Sequence, residues 1–112
     1  MNIPTELALK IVKDMKDIIN QDLNFINTEG HIIASTDKKR IGQIHEASLK
    51  CIATNSDIVI NSDTEYEGSK KGINIPVHLN NEIVGVIGIT GDRKDVERFG
   101  KIIKSMTEIL VK

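Results

Sequence analysis

Cysteine is nearly missing from this sequence: Cys51 is the only one in 112 residues. A lone cysteine excludes both an intrachain disulfide framework and a thiolate-based zinc site. Neither charge sign prevails, with 15 basic against 16 acidic side chains and a formal net charge of -1. Proteins that neutralise phosphates need a basic patch or tail, so direct contact with nucleic acid is not expected. Long apolar runs are missing too. The most apolar segment, Ile83 to Ile89, falls far short of the roughly 20 residues of a membrane-spanning helix. The start, MNIPTELALKIVKD, lacks the basic opening, uninterrupted apolar stretch and small-residue cleavage site of a signal peptide. The expected setting is cytoplasmic, with no membrane partner.

What is present is an ordinary globular composition, 39% hydrophobic and 28% charged. A chain of this size removes roughly two-thirds of its unfolded surface from water, enough for one core and not for two. A single domain over residues 1–112 is expected. Apolar side chains at Leu7, Ile11, Met15 and Ile18, with Ala8, Val12 and Ile19 beside them, predict a first helix over residues 5–19. Two short runs, Leu23 to Asn27 and His31 to Ser35, flank Thr28-Glu29-Gly30 and predict a β-hairpin. After a polar loop, Ile41, Ile44, His45, Ser48, Leu49 and Ile52 recur at helical intervals, which predicts a second helix over about 42–54. Ile58 to Ile60 is a weak strand candidate. GINIPVHL and EIVGVIGI flank Asn80-Asn81, a pair that tolerates left-handed backbone in a two-residue turn, and predict a second hairpin. Val96, Phe99, Ile102, Ile103, Met106, Ile109 and Leu110 predict a terminal helix.

An Asn80-Asn81 turn sets Leu79 opposite Glu82, and opposed residues share a sheet face. One face would carry Ile73, Ile75, Val77, Leu79, Val84, Val86 and Gly88. The other would carry Gly72, Asn74, Pro76, His78, Ile83, Gly85, Ile87 and Ile89. Both are largely apolar, so helices should cover both sides. The second face combines small groups with the lone amide of Asn74, leaving room and a hydrogen-bonding group. The helix from Gly42 is expected across from it, with His45 pointing inward and Arg40 just ahead of the helix start. Guanidinium, free helix-start N–H groups and imidazole together suit a carboxylate. Gly42 would let a ligand approach the backbone, and Ser35 would bind a hydroxyl. Each group also has a structural explanation: His45 as a core histidine bonded to a carbonyl, Arg40 in a surface ion pair, Asn74 tying down a loop, Asp37 as a turn cap.

Catalytic and cofactor signals are weak. Ser35, Asp37 and His45 are triad types, but all lie in one hairpin-loop-helix segment with no strained elbow for a nucleophile. GVIGITG matches neither phosphate-binding glycine motif. His31 and His78 lack carboxylate or cysteine neighbours at ligand spacing, so no metal or other cofactor is expected.

STDKKRIGQIHEASL (Ser35 to Leu49) and KKGINIPVHLNNEIVGVIGITGD (Lys70 to Asp92) resemble the sugar diacid recognition domain, the N-terminal sensor of carbohydrate diacid regulators. The motifs that carry the resemblance are DxxRIGxxHE at Asp37 to Glu46 and GINxPxxxxxExxGVIGxTG at Gly72 to Gly91. It implies an α/β (α+β) fold, PAS-like or Cache-like: an antiparallel sheet of about five strands, terminal helices on one face, and a central helix with a ligand pocket on the other. It also implies a sensor that binds a small hydroxycarboxylate such as D-glycerate without chemistry, and it favours Arg40, Gly42, His45 and Asn74, and to a lesser degree Ser35 and Gly85, as contact residues; Ile41 and Pro76 complete the candidate set. The wide apolar stripe of the last helix adds the expectation of a homodimer. A ligand-free dimerisation module and a small enzyme acting on a hydroxy acid are the alternatives.

Overall fold

Residues 3–112 are described by the computed structural model. The first helix, α1 (Thr5–Ile19), buries Ala8, Ile11, Val12, Met15 and Ile19 and ends at Asn20, whose left-handed backbone returns an N–H to Lys16 O at 2.8 Å. β1 (Leu23–Ile26) and β2 (Ile32–Ser35) form the expected hairpin, and Gly30 supplies the positive φ of its turn. A short 3₁₀ turn, Lys38–Arg40, follows; Asp37 caps it by accepting from Lys39 N. Next come α2 (Glu46–Thr54), β3 (Ile58–Ile60), β4 (Gly72–Leu79), β5 (Glu82–Thr90) and α3 (Arg93–Leu110). Asn80 and Asn81 have φ of 52° and 65°, as a two-residue hairpin turn of this kind requires.

The strands form one antiparallel sheet in the order β2-β1-β5-β4-β3. The helices α1 and α3 cover one face, where Leu23, Phe25, Ile73, Ile75, Val77, Ile87 and Ile89 join Ile11, Met15, Val96 and Ile103 in the main core. The opposite face is covered by α2, with Cys51 and Ile52 packed on Ile26, Ile32 and Val86. This layering agrees with the sequence expectation. Past the end of β3, the edge of β4 is sealed by α3: His78 N donates to Glu108 Oε2 at 2.7 Å, and Lys104 Nζ donates to Pro76 O. Strand edges left open invite pairing with another chain.

Two expectations are corrected. The second helix begins at Glu46, not near Gly42. Gly42 N donates to Ile32 O, Ile32 N to Gln43 O and His45 N to Gly30 O, at 2.7–2.9 Å. Gly42 therefore turns the chain, and residues 43–45 run along the outer edge of β2. The φ of +91° at Gly42 is incompatible with a helix start, and glycine is a poor helix former. The second correction is register. An irregularity between Val77 and His78 offsets the two strands by one residue, so Val77 opposes Gly85, Ile75 opposes Ile87 and Asn74 opposes Gly88. A one-residue slip exchanges faces. Gly85, Ile87 and Ile89 thus lie on the main-core face, while Val86 and Gly88 join Asn74 and Pro76 under α2. Among the described residues, no helix is long and apolar enough to cross a membrane.

Candidate functional site

Eight polar or charged residues are buried among the described residues, and seven belong to α2 or to the sheet face and connections beneath and beside it: Asn24, Ser35, Arg40, His45, Ser48, Ser69 and Asn74. Register places four residues in one row across the sheet. Ser35 opposes Asn24, Asn24 opposes Gly88, and Gly88 opposes Asn74. Gly88 makes the row possible, because a Cβ there would come within 2.9 Å of Asn74 Oδ1. The next row, Ile32, Ile26, Val86 and Pro76, is apolar.

Arg40 hangs over the polar row from the 3₁₀ turn and is 7% exposed. Its Nη2 donates to Gly68 O at 2.7 Å. With its amide oxygen turned toward Arg40, Asn24 accepts from Nη1 at 2.9 Å and donates to Ser35 Oγ and Leu23 O. Ser35 Oγ also accepts from Asp37 N at 3.0 Å. Arg40 forms no ion pair among the described residues. Burial pulls its pKa down, and the more distant charges of Asp37, Asp63 and Asp22 partly oppose that pull. Guanidinium stays protonated regardless, so this is a buried cation with a carbonyl and a carboxamide as partners and no anion.

Beside it His45 is 2% exposed, and its Nδ1 has no hydrogen-bond partner. Burial, then the positive charge of Arg40, depress its pKa to about 4. The imidazole is therefore neutral at pH 7. Asn74 is also 2% exposed, and its carboxamide makes no hydrogen bond among the described residues; its backbone is paired within the sheet, and its carbonyl also accepts from the Cys51 thiol at 3.7 Å. Buried polar groups are paired in the great majority of native structures; among the described residues the enclosed side-chain atoms without a partner are His45 Nδ1 and, on α3 in the opposite layer, Thr107 Oγ1, and at His45, beside a buried cation, the orphan calls for a ligand or a solvent molecule.

The residues singled out from the sequence divide accordingly. Ser35, Arg40, His45 and Asn74 come together, and Pro76 flanks them one row away. Ile41 and Gly42 do not join them: Ile41 is 41% exposed, and the Gly42 N–H is spent on the edge of β2. Gly85 lies on the opposite face, where a Cβ would strike the Phe25 ring at 2.6 Å. The free helix-start N–H groups are also taken, since Glu46 N donates to Glu67 O at 2.9 Å and Ala47 N to Ser69 Oγ at 3.1 Å. Asn24, Gly88, Gly68 and Ser69 escaped notice. The signal for Asn24 was a lone amide between Leu23 and Phe25 in an otherwise apolar strand. Outside the buried cluster lies an open depression of about 260 Å³, bordered by Arg40, Gln43, Asp63, Gly68, Ser69 and Lys70.

Residues 3–112 match the sugar diacid recognition family. The chain belongs to this family. Over 98% of its length it is 32% identical to the carbohydrate diacid regulator of Escherichia coli (strain K12), and over 95% it is 34% identical to YsfB of Bacillus subtilis (strain 168). It spans 29% of the length of each of these relatives. Among solved structures, a type II free methionine-R-sulfoxide reductase from Thermoplasma acidophilum superposes with a TM-score of 0.67 at 16% identity, over 96% of this chain and 92% of that one. The GAF domain of Acinetobacter phosphoenolpyruvate-protein phosphotransferase gives 0.67 at 9% identity, over 96% and 81%. The sensor domain of the Vibrio cholerae histidine kinase DctB gives 0.61 at 20%, over 84% and 40%. Such low identities show the fold alone, and it is the PAS/Cache-like sensor fold that membership of the family implied.

Proposed function

We propose that this sugar diacid recognition domain senses a small hydroxycarboxylate, D-glycerate or a sugar diacid, on behalf of a transcriptional regulator, and performs no chemistry on it. The observation that carries this reading is the buried, anion-free Arg40 beside the unsatisfied His45 Nδ1, with the buried Asn74 carboxamide on the same sheet face. A carboxylate on Arg40 would supply the missing charge, and ligand hydroxyls would satisfy Ser35, His45 and Asn74. Asn24 orients the guanidinium, and Pro76 and Gly88 shape the floor. The depression beside Arg40 is smaller than the roughly 300 Å³ at which drug-sized pockets begin, which suits a small acid. The reading that this is an enzyme finds little support. Burial raises the one thiol, Cys51, to about 12, which leaves it without nucleophilic thiolate at neutral pH.

Calorimetry and thermal melts against a panel of hydroxy acids test the proposal. An acid held at 100 times its dissociation constant should add about 2.7 kcal/mol of stability and about 10 °C of melting temperature. A panel that gives neither heat nor a shift would leave the ligand-free dimerisation module standing in its place.

A further inference from the structure

Arg40 already has one partner that a ligand would have to replace. The Gly68 carbonyl accepts from Nη2 at 2.7 Å, with the donor geometry a carboxylate oxygen would use. Gly68 belongs to the connection 61–71 between β3 and β4, which crosses directly over residues 44–47. At φ +70°, Gly68 lies so close to the backbone that a Cβ would fall 1.8 Å from Ile44 O. Its neighbours hold the start of α2, Glu67 through its carbonyl and Ser69 through its hydroxyl. Further out, Tyr66 Oη accepts from Lys50 Nζ at 3.2 Å, and the ammonium stands 5.8 Å from the ring centre.

Almost nothing apolar anchors this strap. Of residues 61–71 only Ser69 is buried, and Tyr66 and Lys71 are half-buried. Internal polar bonds brace the rest: Asn61 N and Ser62 N donate to Glu65 Oε1, and Lys71 N donates to Asp63 Oδ1 at 2.7 Å. A segment with few buried apolar contacts and exposed hydrogen bonds opens locally at little cost to the core.

We propose that the strap 61–71 is a self-blocking cover, in which the Gly68 carbonyl holds the position on Arg40 that the ligand carboxylate takes, so that ligand entry displaces it. This rests on the hydroxycarboxylate reading and adds its regulation. Displacement exchanges a neutral acceptor for a charged one on a buried cation, which favours the ligand. It also loosens Glu67 and Ser69 from the start of α2, so occupancy reaches the helix covering the site. Closure lowers apparent affinity by the fraction of time the strap is open; a strap closed about 90% of the time weakens binding about tenfold.

The chain carries its own reporter. Tyr66 is the sole tyrosine and there is no tryptophan, so intrinsic fluorescence comes from the strap. Acrylamide quenching of Tyr66 is measured on the full chain, without ligand and with D-glycerate and glucarate, beside calorimetry of the same samples. Quenching should rise on binding. Lys50→Met, remote from the site, should raise it without ligand and tighten binding several-fold. Gly68→Ala should raise it too, because its Cβ cannot coexist with Ile44 O. Arg40→Ala should do the same with no acid present. Heat on titration with unchanged quenching, and Lys50→Met affinity equal to wild type, would overturn the cover while leaving the binding site intact. Quenching of ligand-free Arg40→Ala and Gly68→Ala equal to wild type would overturn it whatever the ligand. Absence of heat with every acid would remove both proposals.

Discussion

Asn74 and Gly88 stand opposite each other on β4 and β5, and the carboxamide has its place above the sheet because its neighbour has no side chain. The pair is a packing arrangement with a chemical result: a carboxamide held on the sheet face under α2 that forms no side-chain hydrogen bond among the described residues.

Gly88→Ala tests that arrangement. The new methyl would meet Asn74 Oδ1 at 2.9 Å and force the amide to tilt or the strands to part. Overpacking of this kind costs about 1–3 kcal/mol of stability. Affinity for a hydroxy acid should fall about tenfold or more, which corresponds to about 1.4 kcal/mol. A variant that binds as wild type would remove Asn74 and its row from the ligand's floor.

Arg40 should show opposite effects on binding and stability. Its head group is buried and bonded to Gly68 and Asn24, not held in a surface ion pair. Removing a charge that lacks an anionic partner spares the protein a desolvation cost, which offsets the two hydrogen bonds lost to Gly68 and Asn24. Arg40→Met should therefore melt at or above the wild-type temperature without ligand, yet lose about 2–5 kcal/mol of binding free energy. Melting scans with and without D-glycerate read both effects. A large drop in melting temperature without ligand would mark Arg40 as a structural residue.

His45 gives the fold an acid limit. Its pKa lies near 4 in the folded state, against an ordinary 6.5, because burial and then Arg40 oppose protonation. The folded state thus binds fewer protons than the unfolded one, and its stability declines as pH falls through this window. The full difference amounts to about 3 kcal/mol, present above pH 6.5 and lost by pH 4. Denaturant midpoints measured from pH 7 to 4 should show this decline, and His45→Gln should flatten it. An imidazolium donor does not fit these surroundings. Affinity should accordingly be level from pH 6.5 to 8, with His45 acting as a neutral tautomer.

How much of this could be read in advance depends on where specificity is local. Asn80-Asn81, Gly30 and the 3.6-residue periodicity of α1 and α3 act over a few residues, and those elements sit where the pattern puts them. The face assignment of β5 failed because one irregularity at Val77/His78 reverses it, and nothing local in two apolar runs announces an offset. The start of α2 failed for a different reason. Ile41 and Ile44 have helical spacing, but the open edge of β2 recruits residues 42–45 by backbone bonds, and both side chains end exposed, at 41% and 52%. His45 and Asn74 were legible as polar residues in apolar settings, and Arg40 and Ser35 as a cation and a hydroxyl next to them in the chain. Asn24 carries the same signal, a lone amide in an apolar strand, but its role and that of Gly68 are set by Arg40, 16 and 28 residues away, and that pairing is not legible in the sequence.

The last helix should bring two copies together. Its inward stripe is Val96, Gly100, Ile103 and Thr107, with Phe99 and Met106 half-buried. Ile102, Ile109 and Leu110 are left outside, at 57%, 66% and 43% exposed, and Ile18 of α1 is 59% exposed. A helix covering one sheet needs a single apolar stripe, and this second one is what a partner copy would bury. Contact between α3 and the ligand-facing layer also exists: His78 on β4 bonds through Nε2 to Asn55 at the end of α2, at 2.7 Å, and through Nδ1 to Lys104 of α3, at 2.9 Å. A shift of α2 on ligand entry would therefore reach α3 and the proposed interface through one side chain. Sedimentation at tens of micromolar should show a dimer, and Ile102→Lys with Ile109→Lys should give a folded monomer that still binds acid. His78→Leu should keep affinity and dimer but uncouple them, so that the dimer constant no longer responds to ligand. A wild-type chain that sediments as a monomer with and without ligand would remove the interface and leave the His78 bridge with no helix pair to adjust.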